Sequence, residues 1–305
     1  MAITAPLVWL DGALVPSADA TVPLMGHAPQ RGSLVFDVGS FHETKSGPAL
    51  FRVREHVARF LRSASIVGLS FGYDEAALVR AAIDVVAACE RSEGLVRWSA
   101  FFAADEPDLI PRSADARVAV AALFYRDPPR TSPLRIAVFD DARKASIEVL
   151  SPEAKAGAAY LGPMIARRRA TLAGADDVVL LDREGNVAEA PIANVFIVSG
   201  GVLRTPPLGA ILPGITRDAV LAIAQSEGIA AREEPISPEA FAAADEAFLT
   251  ATSMPIGPIA SVNDRALAAA PGPITSKITA RLLAAQRGED PTRAAWVLPI
   301  EPVRS

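Results

Sequence analysis

Between Tyr125 and Pro133 the sequence runs YRDPPRTSP, and three prolines among polar residues disfavour both a helix and a central strand there. The 305-residue chain is thereby cut into two stretches, each long enough to bury a core of its own. Ahead of the cut, Val8 to Leu14 holds Asp11-Gly12 between short apolar runs, the local signal of a hairpin. A second hairpin is expected from Leu34-Val35-Phe36 through the Ser46-Gly47 turn to Ala49-Leu50-Phe51. From Arg54 to Val67 the apolar residues Val57, Phe60, Leu61 and Ala64 recur at helical spacing, and a second helix is expected from Asp74, its N-cap, to Arg91. Leu95 to Phe102 and Arg117 to Phe124 have strand patterns. Strands, two helices and strands again predict a compact α+β domain over residues 1–124, followed by a linker at 125–133. In the second domain, 134–305, Leu134 to Phe139, Val178 to Asp182, Val195 to Val198, Val202-Leu203 and Phe248 to Ala251 are β-like. Ile215 to Glu227 predicts a helix ended by Gly228, and Ile274 to Arg287 a terminal helix before Gly288. The expected fold class is α/β (α+β) in two domains.

A hydrophobic content of 50% with 21% charged residues is the balance of an ordinary globular protein. The net charge of -5 is spread without basic blocks, so neither nucleic acid nor an anionic membrane is an expected partner, and the ligand should be small. No window reaches the roughly 18 apolar residues of a membrane span, and MAITAPLVWLDG lacks the basic-then-apolar pattern of a signal peptide, which predicts a cytoplasmic protein. The single cysteine, Cys89, cannot form an internal disulfide, and its apolar helical surroundings predict a packed thiol. Only Lys45, Lys144, Lys155 and Lys277 are available as amine nucleophiles.

Three segments carry chemistry. Lys155, in PEAKAGAAY, stands alone among small residues, outside any charged run; such surroundings imply burial, which favours the neutral, nucleophilic amine. Taken singly it would more readily be a surface lysine, and Tyr160 an ordinary core or surface phenol. Glu189, in GNVAEAPIANVF, is a carboxylate between apolar residues, or simply part of a capped turn. In LPGITR a Pro-Gly turn opens directly into a helix at Ile215, whose first N–H groups, with the Thr216 hydroxyl, make an anion site of the kind that phosphate occupies.

Taken together, AKAGAAYL, then E-x4-N-V-F, then L-x-T-P-P and LPGITR resemble the signature order of the class IV (fold-type IV) pyridoxal-phosphate aminotransferases, particularly the branched-chain group. The resemblance covers nearly the whole chain: WLDG, MGHAPQRG and FRVREHVARF at the start match that group's opening hairpin, active-site loop and His-x-x-Arg helix, and ADEAFLTATSMPIGPIASV its phosphate-binding threonine segment. It implies a small N-terminal α+β domain and a larger C-terminal domain with pyridoxal 5'-phosphate between them. It further implies that Lys155 is catalytic, joined to the cofactor as a Schiff base, that Tyr160 bonds the phenolate oxygen, and that Glu189 keeps the pyridine nitrogen protonated. Arg59, Ile215, Thr216 and Thr252 would hold the phosphate, and Arg31, Phe36, Arg97 and Ser253 the substrate. No metal is expected.

The implied reaction is ping-pong amino transfer between a branched-chain or other hydrophobic L-amino acid and a 2-oxo acid such as 2-oxoglutarate, in a homodimer or higher homo-oligomer. An (R)-amine or D-amino-acid transaminase, or less readily an aminodeoxychorismate lyase, shares the cofactor and is the alternative. Departures from the branched-chain pattern fall mostly in the substrate region. The loop ends in Arg31-Gly32 where that group has Tyr-Gly, and Ser40 stands where it has an arginine. Pro191 replaces a small residue two positions after Glu189.

Overall fold

The structure, a computed structural model, describes residues 2–106, 108–112, 116–125, 132–145 and 147–300. Of the expected linker, 126–131 lie outside the described residues. The chain forms two compact units: Met1–Pro129 with Ala154–Ala158 and Ala284–Ser305, and Arg130–Glu153 with Ala159–Leu283. The short insert around Lys155 and the last part of the chain thus group with the first unit, although both follow the proline-rich segment in sequence.

The first unit is built on an antiparallel sheet of strands β1 (Ala2–Leu10), β2 (Ala13–Pro16), β3 (Leu34–Thr44), β4 (Gly47–Phe51), β5 (Gly94–Phe102), β6 (Ala116–Tyr125) and β16 (Val297–Pro299), in the order β16-β4-β3-β5-β6-β1-β2. The hairpin between β1 and β2 turns on Asp11 and Gly12 with φ of 48° and 103°, a backbone that Asp-Gly adopts readily and that matches the strand twist. Beside the short helix α1 (His27–Arg31), which no apolar repeat announces, two long helices pack on the sheet: α2 (Val53–Ile66) and α3 (Glu75–Ala88). Val57, Phe60 and Ala64 are buried on α2. On α3, Leu78, Ala82 and Val85 are buried, and Asp74 caps the helix by accepting from the Ala77 N–H at 2.8 Å. Trp98 of β5 is fully buried and donates from its indole to the Leu78 carbonyl at 3.1 Å, which satisfies the one polar atom the ring brings into the core. Cys89 closes α3 as a buried thiol whose pKa burial pushes up.

The second unit has a mixed sheet in the order β12-β11-β10-β13-β14-β7-β8-β9, with β15 (Arg265–Ala266) on β14. Its strands are β7 (Leu134–Arg143), β8 (Asp177–Leu181), β9 (Val187–Ala190), β10 (Ala193–Ser199), β11 (Val202–Thr205), β12 (Ala231–Glu233), β13 (Glu246–Ala251) and β14 (Met254–Val262). Every residue of β8, DVVLL, is buried, as a strand covered on both faces demands. α4 (Leu161–Leu172) lays Ala166 and Ala170 on Val178 and Leu180 of that strand, and α5 (Ile215–Ser226) and α6 (Pro238–Ala242) pack on β13 and β14. α7 (Pro273–Gln286) ends before Gly288, which has a φ of 69°. β14 has no strand signal because it carries Pro255, Gly257 and Pro258. Its ladder to β7 begins only at Ile259, so the prolines lie where that side requires no N–H donor.

Candidate active site

In the first unit, Lys155 is fixed through its backbone. Its carbonyl accepts the Phe36 N–H at 3.0 Å, the next residue forms an antiparallel bridge with Val35, and its own N–H donates to the Ser63 hydroxyl at 3.0 Å. Ser63 in turn donates to the Arg59 carbonyl at 2.9 Å, so β3 and α2 together hold the lysine segment. The side chain is half-buried rather than enclosed, between the buried Ala154 and Ala156. Its Nζ stands 5.0 Å from the centroid of the Phe36 ring, and the Arg97 guanidinium lies 3.9 Å from the same centroid. Phe36 therefore gathers two cations by cation–π attraction and brings three of the expected site residues together.

Arg59 is buried on α2, one turn after His56, and the i, i+3 spacing puts both on one helix face. That face meets Asp37 of β3. Arg59 donates from Nε to Asp37 Oδ2 at 2.7 Å and from Nη2 to Oδ1 at 2.9 Å, while His56 Nδ1 lies 2.7 Å from Oδ1. Burial opposes ionisation of Asp37, but the Arg59 charge and the hydrogen bonds from His56 and Arg59 outweigh it and hold the carboxyl well below the usual carboxylate range. Burial lowers the pKa of His56 against the pull of Asp37. The His-x-x-Arg motif picks out His56 and Arg59 in the sequence, but their shared partner Asp37 shows only once β3 and α2 are side by side. Arg31 is elsewhere, exposed in the last turn of α1, with Nη1 donating to the Gln30 carbonyl at 3.1 Å.

In the second unit, Glu189 lies on β9 opposite Leu180 and Asn194. Its Oε1 is ion-paired with Lys144, and its Oε2 accepts the Leu212 N–H at 3.0 Å and the Asn194 amide at 3.3 Å. Asn194 also donates to the Leu212 carbonyl at 3.1 Å. The carboxylate and the turn that opens α5 are thus joined in one network. α5 starts at Ile215 with Gly214 as N-cap and no side-chain cap, and Ile215 and Thr216 are buried in its first turn. Thr252 and Ser253 form the two-residue loop between β13 and β14, and Tyr160 ends a single 3-10 turn (Gly157–Tyr160) that leads into α4; all three are half-buried. Lys144 and the second role of Asn194 are what the residue pattern alone does not show.

The second unit thus holds a largely buried, ion-paired carboxylate beside an uncapped helix start, and the first an anchored lysine whose amine shares the Phe36 ring with the Arg97 guanidinium. The chain belongs to the class IV aminotransferases, whose sequence model matches residues 35–262, and it is a transferase of fold type IV. Among solved structures it is similar to a branched-chain aminotransferase from Thermoproteus uzoniensis crystallised with norvaline, at 34% identity and a TM-score of 0.93, covering 97% of this chain and 100% of that one. A branched-chain amino acid aminotransferase from T.th., with pyridoxamine 5'-phosphate, is alike at 31% identity and a TM-score of 0.92, over 98% and 100% of the two chains. The branched-chain-amino-acid aminotransferase of Pseudomonas aeruginosa is 29% identical over 295 residues, 95% of this chain and 96% of that protein.

Proposed function

We propose that this aminotransferase uses pyridoxal 5'-phosphate to move an amino group between a branched-chain or other hydrophobic L-amino acid and a 2-oxo acid such as 2-oxoglutarate. The observation that carries the reading is the Glu189 network: a carboxylate anchored to the turn that opens α5 fits a ligand with a basic ring nitrogen and a phosphate. The relatives named above are branched-chain enzymes, one of them with pyridoxamine 5'-phosphate, which favours this reading over an (R)-amine or D-amino-acid transaminase. Pyridoxal phosphate supplies the carbonyl that takes up the amino group and a ring that stores electrons when the substrate Cα loses its proton.

In this reading the Lys155 amine would hold the cofactor and would move the proton of the substrate Cα. Glu189 holds a proton on the ring nitrogen, and Tyr160 bonds the phenolate oxygen. Arg59, the N–H groups of Ile215 and Thr216, and the Thr252 hydroxyl bind the phosphate. Arg97 and Arg31 bind substrate carboxylates, with Phe36 and Ser253 beside the substrate. The short loop between β13 and β14 and the uncapped helix start at Gly214 support the cradle. The reading extends to a homodimer or higher homo-oligomer in the cytoplasm; among the described residues no helix is long and apolar enough to cross a membrane. Light scattering on the purified enzyme tests the dimer.

Lys155→Ala is expected to abolish transamination while the chain stays folded and still binds the cofactor non-covalently. Borohydride reduction and peptide mapping of the wild type should put the cofactor on Lys155; finding it on Lys45, Lys144 or Lys277 overturns the assignment. Mixing the holoenzyme with separate L-amino acids, D-amino acids and (R)-1-phenylethylamine, and following which converts the cofactor absorbance to that of its amine form, decides the substrate class. Conversion by the amine alone overturns the proposed one.

A further inference from the structure

β7 ends at Arg143, and the next residue, Lys144, donates its backbone N–H to the Leu181 carbonyl at 2.9 Å, continuing the parallel register that pairs Arg143 with Leu181. On the other side of β8, Leu180 stands opposite Glu189. Register alone therefore brings a lysine from one neighbouring strand and a glutamate from the other to the same end of β8. Their side chains form an ion pair, with only 17% of the lysine and 13% of the glutamate side chain exposed. The other Glu189 oxygen is engaged by Leu212 and Asn194, so donors hold both ends of the carboxylate.

We propose that Lys144 is a positioning residue for the amino-transfer reaction, holding the Glu189 carboxylate in the one orientation from which it can meet the cofactor's ring nitrogen. The inference rests on the reading of Glu189 given above. Leu212 and Asn194 hold only one oxygen of the carboxylate, and the ammonium in contact with the other fixes its rotation. The remaining neighbours do not replace it. β8 carries Asp177, paired with Arg167 at 3.3 Å, β10 presents the Asn194 amide, and the turn Leu212-Pro213-Gly214 is uncharged. On α5, Arg217 is engaged by Glu233 at 2.6 Å and Asp218 lies in the first turn. Arg143 donates to the carbonyls of Asp182 and Arg183.

The test compares wild type, Lys144→Met, Lys144→Gln, Lys144→Arg and Glu189→Gln as holoenzymes, recording the absorbance of the bound cofactor and the single-turnover rate with an L-amino acid between pH 5 and pH 9. Lys144→Met and Lys144→Gln should each lower the single-turnover rate about tenfold and move the cofactor spectrum towards that of Glu189→Gln, with Lys144→Arg restoring most of the wild-type behaviour. In the cofactor-free protein, the unfolding free energies of Lys144→Met, Glu189→Gln and the double variant should be non-additive. A Lys144→Met or Lys144→Gln enzyme with the wild-type spectrum and rate, while Glu189→Gln alters them, overturns the role of Lys144 and leaves that of Glu189 standing. A Glu189→Gln enzyme with an unchanged spectrum and rate overturns both.

Discussion

His42 sits half-buried on β3 with its Nε2 2.9 Å from the Ser40 hydroxyl, and burial, aided by the Arg287 charge, pushes its pKa down from 6.5 to about 4. The folded protein thus refuses a proton that the unfolded chain accepts. The stability His42 contributes is complete above pH 6.5 and is lost as the pH falls from 6.5 towards 4. Buried His56 acts in the same direction. Denaturant unfolding of the wild type should weaken through that window, and His42→Gln should flatten the dependence by up to about 1.4 kcal/mol per pH unit. An unaltered slope would show that His42 titrates as freely as in the unfolded chain. Arg31 poses a different question, because its exposed position on α1 suits either a substrate clamp or a solvated cation. If it binds the second carboxylate of a 2-oxo diacid, Arg31→Ala should raise the apparent KM for 2-oxoglutarate far more than that for pyruvate. Small and equal changes, of the order of the 0 to 1 kcal/mol that exposed pairs contribute, would leave Arg97 as the carboxylate-recognising residue.

Among the elements, α5 shows how one glycine can be required without any unusual backbone. Gly214 has φ and ψ of -70° and 129°, open to any residue, but a Cβ there would stand 1.9 Å from Asn194 Oδ1 and 3.3 Å from Arg217 Cβ. Asn194 cannot step aside without giving up Leu212 and Glu189. Gly214→Ala should therefore cost about 1 to 3 kcal/mol of stability, as overpacked sites do, and weaken cofactor binding; equilibrium unfolding and a cofactor titration measure the two. An unchanged unfolding midpoint would mean that the α5 turn is looser than these contacts require. α7 begins on another such device. Buried Glu246 accepts from the Ile274 and Thr275 N–H groups at 3.1 and 2.8 Å, a carboxylate placed at the positive end of a helix by a strand 28 residues away.

At the scale of the whole molecule, the chain does not complete its first unit until its last described residues. β16 pairs with β4, Trp296 accepts the Arg52 N–H at 2.6 Å on its carbonyl, and the Arg52 guanidinium lies 4.9 Å from the Trp296 ring. Arg52 has a φ of 50°, uncommon for a side chain of that size, and its pairing with Trp296 and with Glu55 at 2.8 Å holds it there at the start of α2. Truncation after Gly288 removes these partners and bares the β4 edge. It should lower the thermal midpoint by several degrees, and Trp296→Ala should reproduce part of the loss; a truncated chain that melts with the full one would show that β16 contributes nothing.

What residue order determined by itself was whatever neighbouring residues decide: the Asp11-Gly12 hairpin from turn sterics, α2 and α3 from apolar spacing, the Asp74 cap, and the grouping of Lys155, Glu189 and LPGITR as the signature of a class IV aminotransferase. Tertiary structure decided what depends on register between distant strands. The union of Ala154–Ala158 with β3, the Asp37 partner of Arg59 from 22 residues upstream, and the Lys144 partner of Glu189 from 45 residues upstream follow from which strands lie side by side. A buried charge must find an opposite charge, but spacing along the chain carries no record of which one. Pairing between strands brings a particular counter-charge within reach, and that pairing exists only once the chain is folded.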